Sequence, residues 1–180
     1  MSNFRKSRAV LMGLVMAGTT AAAGALGAAV TPAAADTGTA STVANVVVES
    51  SITLTELTPS FTLTGAPGEV VTTGATPVTM RVTTNNFAGY NVTVAPRAAA
   101  LTPSIAGNTD TIPTNLLAVN GPVQGSAYVP LSFGTPVLVA TKPSASSADG
   151  DVITNNYRIT IPFVRPDTYS GILDYVATTL

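Results

Sequence analysis

Pro77-Val78-Thr79-Met80-Arg81-Val82-Thr83-Thr84-Asn85-Asn86-Phe87-Ala88-Gly89-Tyr90-Asn91-Val92-Thr93-Val94 is the stretch whose reading decides the fold class. Val78, Met80, Val82 and Thr84 alternate with Thr79, Arg81 and Thr83, and Tyr90, Val92 and Val94 alternate with Asn91 and Thr93. A period of two over both runs predicts two strands, each with one buried and one wet face. Asn85, Asn86 and Gly89 tolerate the left-handed backbone angles of a reversal, while the β-branched residues on either side resist helix. The stretch therefore predicts a β-hairpin.

Similar short runs follow outward from it. Asn45–Thr55 alternates with Val46, Val48, Ser50, Ile52 and Leu54 on one face, predicting the first strand or two, and Val47 adds apolar weight to the other face. Phe61–Thr64 reads as a short strand closed by Gly65-Ala66-Pro67-Gly68, and Glu69–Thr73 as another. Pro96, Pro103, Gly107 and Pro113 predict a loop from Ala95 to Asn115, anchored by Leu101 and Ile105. Apolar runs recur at 116–119, 128–131 and 137–141. Val152–Phe163 is the longest candidate, with Ile153, Tyr157, Ile159, Ile161 and Phe163 on one face, and Leu173, Tyr175 and Ala177 alternate near the end. No amphipathic helix longer than a turn or two is visible. The sum is an all-β domain over 45–180, an Ig-like antiparallel β-sandwich of about nine short strands, with a closed barrel as the alternative.

Arg5, Lys6 and Arg8 precede an uncharged run, Ala9–Val30, and the small-residue site Ala33-x-Ala35 follows it. This pattern reads as a secretory signal peptide over 1–35, cleaved after Ala35. A small polar tail, 36–44, then leads into the domain. Removing 35 of the 180 residues leaves 145, enough for one domain with a real core. The expected product is secreted and extracellular.

Composition narrows the function. The whole chain has 8 Lys and Arg against 9 Asp and Glu, and three of the basic residues lie in the leader. The five that remain, Arg81, Arg97, Lys142, Arg158 and Arg165, are scattered, so neither nucleic acid nor an anionic membrane finds a basic cluster. The chain has no His and no Cys. Thiolate catalysis, His-assisted nucleophiles, the common zinc sites and disulfides are thereby excluded. Lys142, the one lysine after the leader, sits in a Pro- and Ser-rich loop and reads as a solvated charge. The dispersed acids give no local pair for glycoside hydrolysis. Asp149-Gly150-Asp151 could share a calcium ion, but a strand begins at Val152 where further ligands are needed, so the doublet reads as a turn. Asn91-Val92-Thr93 fits a glycosylation acceptor, yet lies inside a predicted strand. The expectation is a non-enzymatic protein without metal or cofactor.

Tyr90, Tyr128, Tyr157, Tyr169 and Tyr175 could offer stacking faces to sugars, but most alternate with apolar neighbours as core residues do. Carbohydrate binding stays the alternative. Tyr169, beside the Arg165–Thr168 turn, is expected to bond backbone through its hydroxyl at a sandwich corner.

The segments TNNFAGYNVTV at 84–94, YRITIPF at 157–163 and YSGILDYVA at 169–177 resemble the sandwich modules of bacterial secreted and cell-wall proteins, including fimbria-like and WxL-like domains. The chain departs from the latter in having no tryptophan. SITLTELTPSFTLTGAPGE at 51–69 resembles small secreted actinobacterial proteins and the small adaptor subunit of umbrella toxin particles. That resemblance implies a link between a scaffold subunit and a lectin subunit. The expected partners are then other secreted proteins in a hetero-oligomeric assembly. The expected contact is the segment Thr42–Ser51, bearing Val43, Val46, Val47 and Val48, which either forms the first edge strand of its own sandwich or adds to a partner's sheet edge or lies in its cleft.

Overall fold

The computed structural model describes residues 36–180, so the signal-peptide reading lies outside the described residues. Residues 36–45 carry no helix or strand and are exposed. The chain divides after Asn45, and Val46–Leu180 forms one compact unit.

That unit is an all-β sandwich. One sheet contains β1 (Ile52–Thr55), β2 (Val70–Thr72), β3 (Val78–Thr84), β7 (Leu117–Asn120), β8 (Val129–Pro130) and β10 (Asp151–Thr160); the other strands are β4 (Tyr90–Pro96), β5 (Ala100–Pro103), β6 (Ile112–Pro113), β9 (Val137–Lys142), β11 (Tyr169–Ser170) and β12 (Leu173–Thr179). Nine of the twelve are three residues or longer, in keeping with the strand count the turn spacing predicts. The order β1-β3-β10-β7-β8, with β2 also on β10, makes the larger sheet. The order β12-β4-β9 makes the second, and β11-β5-β6 a small third. Every pairing within them is antiparallel. Among the described residues, helix is confined to two single-turn 3-10 pieces, Thr114–Leu116 and Pro122–Gln124.

The opening stretch has the predicted strands and the predicted facing, but it is not a hairpin. β3 pairs with β1 and β10, whereas β4 pairs with β12 and β9. The connection Asn85–Gly89 carries the chain from one sheet to the other. Gly89 makes the crossing possible: its φ is 100°, and a Cβ there would stand 1.8 Å from the Lys142 carbonyl oxygen. Val78, Met80, Val82 and Thr84 therefore meet Tyr90, Val92 and Val94 across the core, all of them buried. Period-two alternation fixes which side chains are buried; it does not say whether the next strand lies beside or opposite. The outward Thr83 and Thr93 are half-buried.

β10 is the hinge of the larger sheet, bonded to β3 along its first half, to β2 along its last residues and to β7 on the other edge. Ile153, Tyr157 and Ile159 face inward as predicted, joined by a fully buried Asn155. The strand ends before the predicted limit. Val164 N–H donates to the Pro162 carbonyl at 3.1 Å, a tight turn that throws Phe163 outward to 95% exposure. Three further expectations are corrected. Phe61–Thr64 joins no ladder, the 95–115 loop contains β5 and β6, and Ile105 is exposed while Leu101 packs on the core.

Candidate functional site

The predicted first strand begins only at Ile52. Register explains it: Ile52 lies opposite Thr84, the last residue of β3, so Ser51 and everything before it has no strand to bond. Asn85 substitutes for one turn. Its side-chain Oδ1 accepts the Ser51 N–H and its Nδ2 donates to the Glu49 carbonyl, both at 2.8 Å, while Thr84 Oγ1 donates to the Ser51 carbonyl at 2.6 Å. Beyond that clamp Val46, Val47 and Val48 are 85%, 89% and 76% exposed. Val43, in the preceding segment, is 83% exposed. Of the two options the sequence left open for Val46–Val48, pairing within their own sandwich is absent among the described residues. The same end of the sandwich bears Phe87, 93% exposed on the inter-sheet connection. Leu180 lies there too, its N–H on the Gly89 carbonyl.

The opposite end holds a cleft of about 760 Å³. Its floor is apolar, with Val78, Ile112, Leu117, Ile159 and Ile161. One wall is the Leu57–Gly65 segment, the other runs from Pro162 to Tyr175. Phe61 holds the first wall in place by stacking on Tyr157, ring centroids 4.5 Å apart and planes 17° apart. Among the described residues no backbone group of Ser60–Gly65 makes a hydrogen bond. On the second wall β12 bonds only to β4, leaving its other edge without a ladder. The sequence signalled the walls through Pro59, Pro162 and Pro166, which disfavour ladder formation, but nothing in it said that the two walls face each other.

The second wall is rigid where it turns. Tyr169 Oη donates to the Arg165 carbonyl at 2.9 Å, the sandwich-corner bond the sequence predicts. Asp167 accepts from Ser104, the Ile105 and Thr168 N–H groups and Asn108 Nδ2. Partial desolvation opposes its charge, but these donors outweigh it and hold the carboxyl well below the ordinary range.

The remaining polar positions are structural. Gly150 takes φ 81°, so the Asp149–Asp151 doublet is a turn. Asp151 faces Lys142 Nζ at 2.9 Å and Tyr90 Oη at 3.0 Å. Desolvation would raise its carboxyl, yet Lys142, the Ser147 N–H and Tyr90 together lower it. Burial, then the Asp151 hydrogen bond and charge, push the Tyr90 phenol up to about 12. Glu56, Asp110 and Asp174 pair with Arg81, Arg165 and Arg97. Among the described residues no three acidic or other metal-ligating side chains cluster.

The tyrosines do not gather on one face. Tyr90 and Tyr157 are core, Tyr128 lies under the Arg158 guanidinium at 4.4 Å, and Tyr169 serves the corner. Tyr175 bonds Tyr157 hydroxyl to hydroxyl and accepts from Asn155 Nδ2 at 3.3 Å. Burial raises both phenols. This pair, Tyr157 buried and Tyr175 half-buried, had no signal in the sequence beyond its alternation. No protein-family model matches the chain, and no curated protein or solved structure shows significant similarity to it.

Proposed function

We propose that the chain is a secreted, non-enzymatic adaptor, a β-sandwich that joins other secreted proteins through the valine-bearing segment at its N-terminal side. The observation that carries this reading is the exposure of Val46, Val47 and Val48 on a stretch that, among the described residues, joins no ladder. Contiguous apolar residues left in water on an unpaired strand are the ordinary donor of β-augmentation: backbone bonds supply affinity and alternate valines supply register. The neighbouring Phe87 would widen the contact. The reading includes export by the 1–35 leader. Through the likeness of 51–69 to umbrella-particle adaptors, it extends to an antibacterial toxin particle in which the chain links a scaffold to a lectin subunit.

The test is removal of residues 36–48 from the mature chain, followed by measurement of folding and of co-purifying secreted proteins. A folded protein that has lost its partners supports the adaptor. Unchanged partner recovery removes the valine segment from the interface, and the absence of any stoichiometric secreted partner from the intact protein overturns the adaptor reading.

A further inference from the structure

Tyr175 crosses the space between the sheets at the cleft. It lines the cleft from β12, and its hydroxyl reaches Tyr157 and Asn155 on β10. We infer that the cleft binds a small uncharged molecule, an alkyl chain carrying one hydroxyl or carbonyl oxygen, with the chain on the apolar floor and the oxygen accepting a hydrogen bond from the Tyr157–Tyr175 pair. The inference goes beyond the adaptor reading and makes no use of the valine segment.

Three observations carry it. The first is size and lining. A space of about 760 Å³ falls within the range of small-molecule sites, and Val78, Ile112, Leu117, Ile159 and Ile161 give it a floor that favours hydrocarbon over water.

The second is a hydrogen count. Tyr175 Oη accepts from Asn155 Nδ2 at 3.3 Å and makes a single contact with Tyr157 Oη. One contact between two hydroxyls uses one of their two hydrogens. Among the described residues the other has no acceptor. Tyr157 is fully buried, and an unpartnered donor in such surroundings is costly, so a ligand oxygen repairs a deficit that the fold itself leaves.

The third is charge. Arg165 and Asp167 are the charged side chains that line the cleft. Asp167 is engaged by Ser104, Ile105, Asn108 and Thr168, and Arg165 faces Asp110, whose carboxylate also accepts the Arg165 N–H. An anionic head group meets two carboxylates and a cationic one meets the guanidinium, and either sheds water without gaining a free partner. An uncharged head group avoids both costs.

Entry requires little rearrangement. Ser60–Gly65 makes no backbone hydrogen bond among the described residues, while Thr58 and Gly68 on either side donate to the Thr79 and Ile161 carbonyls. The wall between those anchors shifts outward without breaking a ladder.

The experiment uses the mature chain with 1-hexanol, 1-octanol and 1-decanol, each below its solubility limit, and with octanoate and octylammonium as charged counterparts of octanol. Methyl NMR titration is expected to show saturable 1:1 binding that moves Ile112, Ile159 and Ile161 and leaves Leu131, buried away from the cleft, unmoved. Dissociation constants should fall roughly tenfold for each two methylenes added, and both ions should bind at least about tenfold more weakly than octanol. Tyr175→Phe keeps the ring without its hydroxyl and should weaken octanol about threefold to tenfold. Ser170→Trp fills the cleft from an exposed wall position and should abolish the shifts with the Leu131 signal unchanged. The absence of saturable binding overturns the proposal, as do affinities indifferent to chain length, an ion that binds as tightly as octanol, undiminished octanol affinity in Tyr175→Phe, or binding that survives Ser170→Trp.

Discussion

Phe61 lies nearly parallel to Tyr157, 4.5 Å between ring centres, and that stack, together with Leu63 against the core, fastens Ser60–Gly65, whose backbone makes no hydrogen bond among the described residues. Phe61→Ala should destabilise the domain by about 1–3 kcal/mol, less than a fully buried Phe because the ring is half-exposed. Thr62→Ala, on the wet side of the same segment, should stay within about 0.5 kcal/mol. Urea denaturation compares the two, and equal effects would show that the stack does not anchor the segment.

The facing of β3 gives a second comparison. Val82 is fully buried, and Val82→Ala should cost about 1–3 kcal/mol. Thr83, half-buried on the outer face, should cost much less as Thr83→Ala. Chemical denaturation midpoints at constant slope decide it.

Gly89 and Gly107 both hold positive φ, at 100° and 84°, but only Gly89 is enclosed. Gly107→Ala should cost about 1–2 kcal/mol, the strain of a left-handed residue with open space around it. Gly89→Ala adds a collision with the Lys142 carbonyl and the Ser144 nitrogen, and should prevent the sheets from closing at that end. Thermal unfolding of the two variants should differ widely; similar melting temperatures would place the crossing elsewhere.

Asp167 sets an acid limit. Its folded carboxyl lies below the unfolded value of about 3.9, so its contribution is complete above that pH and is lost as pH falls towards the lower folded value. Asp167→Asn should lower stability at neutral pH and flatten the loss below about pH 4. Denaturation curves from pH 6 to pH 2 measure the slope. Tyr90 predicts the alkaline mirror image: its folded value is raised, so its stabilisation is present below the ordinary tyrosine value of about 10 and is lost as pH rises through about 12.

Calcium should leave the melting temperature unchanged. The Asp151 carboxylate already meets Lys142 and Tyr90, and Asp149 offers a single further carboxylate. A large calcium-dependent rise, abolished by Asp149→Asn or Asp151→Asn, is the contrary result.

The burial of β3, β4 and β10 was legible in the sequence because alternation reports facing directly, residue by residue. Pairing was not: Val82 bonds into a ladder with Leu54 and Asp151, and nothing local in PVTMRVTTNNF names those neighbours. The same limit hid the cleft, whose walls are some hundred residues apart in the chain. The valine segment was visible as apolar and extended, but its failure to pair follows from where β3 stops, a tertiary fact.

The crossing at Asn85–Gly89 also sets the order of folding events. Had those strands paired with each other, a hairpin could form on the microsecond scale as soon as Val94 was made. Instead β3, although β1 precedes it, completes its pairing only with Asp151–Asn155, and β4 pairs with Val137–Lys142 and then with Leu173–Thr179, where Tyr90 finds Thr179 across 89 residues of chain. Closing loops of that length before any ladder rewards them makes folding slow. The two central strands thus gain their second neighbours only late in the chain, β3 from β10 and β4 from β12.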